Sequence, residues 1–271
     1  MVNIPIGAET IFSLGSLPVS NTLLTAFLVL IIITIASIFL RTNVKEIPGG
    51  FQNFVEMLLE FLLGFFDQVT GDREKSRRFL PIAGTMFFFI LFCNWFGLVP
   101  GFGTIGVWRQ AHEGKEFIPF LRSANSDLNL TLAMAMISVV GSHVLGMMTL
   151  GIWVHINKFV QISKVWKALK TLKPINILTA LVEFVVGIIE IFSEFAKIAS
   201  LSLRLFGNVF AGEVLLTVIA SLIAYFVPLP FMAIEIIVGI VQATVFSMLT
   251  LVYLTMMTSQ PHGQEAHGSV N

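Results

Sequence analysis

The sequence predicts an all-α membrane protein with about five membrane helices, one interfacial amphipathic helix, and a last pair of helices forming a long, strongly tilted hairpin. Three observations carry this. Hydrophobic residues make up 56% of the 271, with 26 Phe, and charged residues only 12%, whereas soluble domains sit nearer half apolar or below. Several uncharged runs approach the ~20 residues that a helix needs to cross the hydrocarbon. The clusters of Lys and Arg fall where one orientation of those runs would put them in the cytoplasm.

The same composition excludes other classes. Sixteen basic residues balance sixteen acidic ones, which gives no reason to expect a nucleic-acid partner. The lone Cys93 rules out an internal disulfide and has no metal-ligand spacing around it. No basic leader with a small-residue cleavage site opens the chain, so residues 1–271 are expected to be one mature integral membrane domain.

Residues 22–40 are an uncharged span followed by Arg41 and Lys45, which places that end in the cytoplasm and the N-terminus outside. Pro48, Gly49 and Gly50 break the helix. Residues 51–69 carry Glu56, Glu60 and Asp67 on one face opposite Phe and Leu, the pattern of a helix lying in the interface. A crossing helix here would strand Arg73, Lys75, Arg77 and Arg78 outside. A second span is expected to start at Pro81 and run over 81–99. The stretch 101–127 is mixed in charge, including Arg109, His112, Glu113 and Arg122, and reads as a solvated external loop. A third span, 128–152, holds Thr131, Ser138, Ser142 and His143 among small and aliphatic residues. His143 is either an interhelical hydrogen-bond contact or a proton relay. The lysines from Lys158 to Lys173 then fall in the cytoplasm.

No proline interrupts the chain between Pro174 and Pro228. A helix over about 175–226 would reach roughly 80 Å against a hydrocarbon core of ~30 Å, so it must run oblique to the membrane. Residues 228–230 make a hairpin, about 231–258 form the last helix, and 259–271 are a polar tail. At ~100° per residue, Glu183, Glu190, Glu194, Lys197, Arg204 and Asn208 form one polar stripe on the long helix, with Glu213 almost opposite Arg204. Glu235 and Gln242 share a face of the last helix. Glu190 and Glu194 have a plain reading, neutralising Lys197 at helical spacing. Arg204 resists one, because a guanidinium does not escape burial by losing its proton and no acid lies three or four positions away. Its partner is expected across the hairpin or on another chain.

The segment LSLRLFGNVFAGE, ending at Glu213, with Gln242 in GIVQATVFSMLTLVYL, resembles the a subunit of rotary F-type ATP synthases. PGGFQNFVEMLLEF, FCNWFGLVPG and SANSDLNLTLAMA are similar to family segments in the same order, so that the resemblance covers about 48–258. It implies a stator with two aqueous half-channels, in which Arg204 faces the c-ring carboxylate, Glu213 and Glu235 line one half-channel, and Asn208 and Gln242 support the arginine. Glu190 lies where the family often has an acid of secondary importance; Glu194, Lys197 and His143 are grouped with it. Many relatives have histidine where this chain has Glu235. The implied partners are the c-subunit ring, the b-subunit peripheral stalk, the remaining subunits and the lipid bilayer, in a bacterial inner membrane with the C-terminus cytoplasmic. No cofactor or metal is implied.

Other classes predict other features. A secondary transporter with a charged midplane site predicts internal repeats or matching interrupted helices, and none is visible. A scaffold has no use for a lone arginine in an apolar helix. An intramembrane enzyme would need a nucleophile with a base, or a metal site, and no motif offers one.

Overall fold

The computed structural model describes residues 7–15, 17–99, 101, 105–111, 114–155, 174–223 and 226–259. Five of its helices are long and apolar enough to cross a membrane, and the protein is an all-α membrane protein with two small hairpins. The lysine-rich segment 158–173, His112 and the tail beyond Ser259 lie outside the described residues.

An antiparallel hairpin of β1 (Thr10–Leu14) and β2 (Leu17–Ser20) precedes the first span. Ser20 ends β2 and caps α1 (Asn21–Thr42), its hydroxyl accepting from the Leu23 amide at 3.2 Å. Most of α1 is exposed and apolar, including Ile31, Ile35 and Ile38, as suits a helix whose solvent is lipid.

Helix α2 (Gly50–Thr70) is not among the helices apolar enough to cross. It stops at Gly71, whose φ of 66° is left-handed and suits a residue without Cβ. Asp72 then caps α3 (Arg73–Leu98), accepting from the Glu74 amide at 2.9 Å. The second span therefore begins before Pro81, which sits inside the helix. Only the bond to the Arg77 carbonyl is forfeited by the proline, and the Thr85 hydroxyl donates to the Pro81 carbonyl at 2.6 Å. The charged first two turns hide this start from any reading by hydropathy. Arg73 joins the two helices, pairing with Glu60 and, at 2.6 Å, with Asp67.

The stretch expected to be a solvated loop contains a second hairpin, β3 (Gly106–Ala111) with β4 (Gly114–Pro119), then a single 3-10 turn at Ala124–Ser126. Ser123, Ala124, Asn125 and Ser126 are buried, and so is Arg122. The further long helices among the described residues are α4 (Leu128–Leu150), α5 (Pro174–Leu222) and α6 (Pro228–Thr258).

The described residues fall into two compact units, one of Met1–Met134 with Leu201–Leu251, the other of Ala135–Ser200 with Val252–Asn271. In the first, Ala26 and Val29 of α1 pack with Cys93 and Ala124, covered by Phe89, Phe92 and Phe96. Polar contacts between helices supplement this packing. Ser247 donates to the Ala83 carbonyl at 2.6 Å, Trp95 Nε1 to the Ile236 carbonyl at 3.3 Å, and the Thr131 and Ser202 hydroxyls lie 3.2 Å apart.

Candidate functional site

In the first unit, α5 presents two chemically different faces. Leu201, Ser202, Leu205, Val209 and Gly212 are buried. Leu203, Arg204, Gly207, Asn208, Ala211 and Leu215 are exposed, and their spacing of three and four residues makes one continuous stripe. Arg204 thus stands on an open face where its neighbours one turn on, Gly207 and Asn208, are small.

The other side of this helix meets a cavity of about 200 Å³, lined among others by Glu213 and Thr217 of α5, Glu235 and Gln242 of α6, Asn94 of α3, and Arg122. Arg122 Nε donates to Glu213 Oε1 at 2.7 Å, and its Nη1 to the Gly7 carbonyl at 3.3 Å. The Arg122 side chain is only 5% exposed and that of Glu213 27%, so each charge is compensated mainly by the other. Among the described residues no protein group bonds Arg122 Nη2 or Glu213 Oε2. A cavity of this size, with such polar atoms on its wall, is a place for water.

Close packing brings Glu235 to α5. A Cβ built on Gly212 would overlap the Glu235 carboxylate, so the absence of a side chain there admits the acid. Below it, Asn125 Nδ2 donates to Asn94 Oδ1 at 2.6 Å and to the Ile90 carbonyl at 3.2 Å, while Asn94 Nδ2 reaches the Gly239 carbonyl at 3.4 Å. This buried amide pair ties the 3-10 turn, α3 and α6 together beside the cavity.

A second polar cluster lies within the other unit. Lys197 Nζ is 2.7 Å from Glu194 Oε1, one turn away on α5. His143 Nε2 is 3.2 Å from Glu194 Oε2, and His143 Nδ1 is 3.1 Å from His155 Nε2. Gly151, with φ of 88°, ends α4, and a helical turn at 152–155 folds His155 back along it. Lys197 Nζ also lies 5.2 Å from the Tyr253 ring centroid.

Residues 22–255 match the family described as ATP synthase A chain. The match begins at the start of α1 and ends within α6. The chain belongs to the ATP synthase A chain family. ATP synthase subunit a of Moorella thermoacetica is 31% identical over 245 residues, 90% of this chain and 93% of that protein. ATP synthase subunit a 1 of Syntrophotalea carbinolica is 30% identical over 237 residues, 88% of this chain and 85% of the relative.

In this chain, the residues singled out from sequence separate into three groups. Glu213, Glu235 and Gln242 meet at the cavity. Arg204 and Asn208 occupy the open face of α5 and take no part in the cavity wall. Glu194, Lys197 and His143 form the second cluster, while Glu190 is half-buried on the same helix. Sequence reasoning grouped Gln242 with the arginine, and the structure sets it on the wall with the two acids. Arg122, Asn94 and His155 were missed. Arg122 carried one usable signal, its position at the head of the small, uncharged run Ser123, Ala124, Asn125 and Ser126.

Proposed function

We propose that this membrane subunit of the ATP synthase is the stator against which the c-subunit ring turns, with Arg204 meeting the ring carboxylate and two half-channels carrying protons to and from it. The observation that carries the reading is the division of α5. Arg204 lies on an exposed stripe with Gly207, Asn208 and Ala211, and Glu213 turns toward a polar cavity shared with Glu235 and Gln242. A moving helix can approach closely where the opposing side chains are small.

The chemistry follows from charge. A carboxylate on the ring crosses lipid protonated, because its ionised form is costly there. Beside the Arg204 guanidinium the ionised form is favoured, and the proton leaves by one half-channel. A permanent positive charge also repels protons, which keeps them from passing straight between the half-channels. Flow must then accompany rotation, driven by ~2.3 kcal/mol per charge per 100 mV of membrane potential. Glu213, Glu235 and Gln242 line the outer half-channel, Asn208 gives Arg204 polar support, and Glu190, Glu194, Lys197 and His143 serve the inner side. At 49 residues, α5 would measure roughly 73 Å as a regular helix, which supports an oblique course through the bilayer. The charge pattern supports an external N-terminus and a cytoplasmic C-terminus in a bacterial inner membrane. The proposed partners are the c-ring and the b-subunit stalk.

Arg204→Ala tests this in purified complex reconstituted into vesicles. The expected result is a complex of unchanged composition with proton-driven ATP synthesis abolished. Synthesis at the parent rate would overturn the reading.

A further inference from the structure

Three titratable side chains from three segments of the second unit stand end to end. His155 Nε2 lies 3.1 Å from His143 Nδ1, and His143 Nε2 lies 3.2 Å from Glu194 Oε2. A histidine that serves packing alone needs one hydrogen-bond partner, and a backbone carbonyl or a hydroxyl suffices. Each ring nitrogen of His143 instead contacts a group that can itself take or give a proton. His155 is 4% exposed, yet it belongs to a single turn whose other members, Ile152, Trp153 and Val154, are exposed, so local opening of that turn brings its imidazole to water.

We propose that His155, His143 and Glu194 form a proton relay between the aqueous phase at the Gly151 end of α4 and the polar stripe of α5. This rests on the stator reading, in whose orientation the Gly151 end of α4 is cytoplasmic and Glu194 lies ten residues before Arg204 in the same helix. One passage breaks the N–H bond at His155 Nε2 and forms one at His143 Nδ1. It then breaks the N–H bond at His143 Nε2 and forms an O–H bond at Glu194 Oε2. No electron is gained or lost; His155 gives up one positive charge, and the Glu194 carboxylate is neutralised. His143 is left in its other tautomer, and a turn of its ring or a passage in the opposite direction resets it.

Other groups facing the relay position it. Lys197 engages Glu194 Oε1 at 2.7 Å, which leaves Oε2 for His143, and is itself held 5.2 Å from the Tyr253 ring centroid. The His155 imidazole packs over Gly146, where an added Cβ would come within 3.0 Å of the ring and 2.7 Å of the Met257 carbonyl.

The test measures ATP-driven proton pumping by the complete ATP synthase in liposomes, with His143→Gln, His155→Gln and His155→Ala variants beside the parent. Pumping is expected to slow about tenfold or more in each, as for loss of a proton-transfer group. Added imidazole should restore the His155→Ala variant with a saturable dependence on imidazole concentration, which a packing role would not produce. Parent rates in both Gln variants, or slowing that imidazole does not relieve, would overturn the relay. Arg204→Ala in the same vesicles separates the two readings. If it synthesises ATP normally, the stator reading falls; if it is silent while the histidine variants pump normally, the relay alone falls.

Discussion

The Arg122 and Glu213 pair and the Lys197 and Glu194 pair both neutralise an acid of α5, and they do so by different means. Lys197 is three residues from its partner, on the same helix and one turn away. Arg122 comes from 91 positions earlier, out of an irregular segment, and is nearly fully buried. A local pair can form whenever the helix does, and its acid has His143 as a second partner. The long-range pair exists only after the fold closes, and each member depends mainly on the other. One pair is a property of a helix, and the other is a property of a fold.

That contrast is broken or sharpened by four changes. Arg122→Gln should have the largest effect on stability, about 3 kcal/mol, because it leaves Glu213 without its countercharge. Thermal unfolding in detergent measures it, and the double variant Arg122→Met with Glu213→Leu should recover most of the loss. An unchanged melting temperature for Arg122→Gln would mean that the cavity alone compensates Glu213. Gly212→Ala comes next. Its Cβ meets the Glu235 carboxylate, so a cost of about 2 kcal/mol from overpacking is expected, with slower proton pumping. A fully active Gly212→Ala protein would show that Glu235 can move away without consequence.

Lys197→Gln should cost about 1 kcal/mol or less, since a one-turn pair contributes little to folding and Glu194 keeps His143. A loss equal to that of Arg122→Gln would erase the distinction between the two pairs. The smallest effect belongs to the half-buried contact of Asp67 with α3. The Ser76 hydroxyl, and after it the Arg73 guanidinium, hold the Asp67 carboxyl below its ordinary 3.8. A lowered folded value means that this contribution is present above the ordinary value and lost as the pH falls through the lowered one. The protection factor of the amides at the end of α2, which is their exchange rate corrected for its intrinsic pH dependence, should therefore stay constant from neutral pH down to about pH 4 and fall only below it. A protection factor that already falls near neutral pH would refute the assignment to Asp67.

Much of the fold was legible because lipid imposes a simple rule on sequence. The uncharged run at 22–40 corresponds to α1, and the proline-free stretch after Pro174 to α5, since backbone groups in hydrocarbon must be satisfied within a helix. The start of α3 was misplaced because Arg73, Lys75, Arg77 and Arg78 mask a helix that Asp72 caps. The two hairpins were unread for a related reason: β1, β2, β3 and β4 are only four to six residues long, so they leave little alternation to detect. At the site, helical periodicity sets Arg204 and Asn208 on one face of α5, and both are exposed there. His155 could not follow from it, because its place beside His143 depends on the left-handed turn at Gly151.

By itself the sequence determined that the chain lives in a membrane, where its long apolar helices run, and that Arg204 and Asn208 share a face of α5. These depend on hydropathy and on a period of ~3.6 residues, both local properties. Tertiary structure alone decided that Glu213, Glu235 and Gln242 share one cavity wall, that Arg122 supplies the countercharge, and that Gly212 gives Glu235 its room. Pairing across 91 positions is set by which helices close on one another, and periodicity within one helix carries no record of that choice.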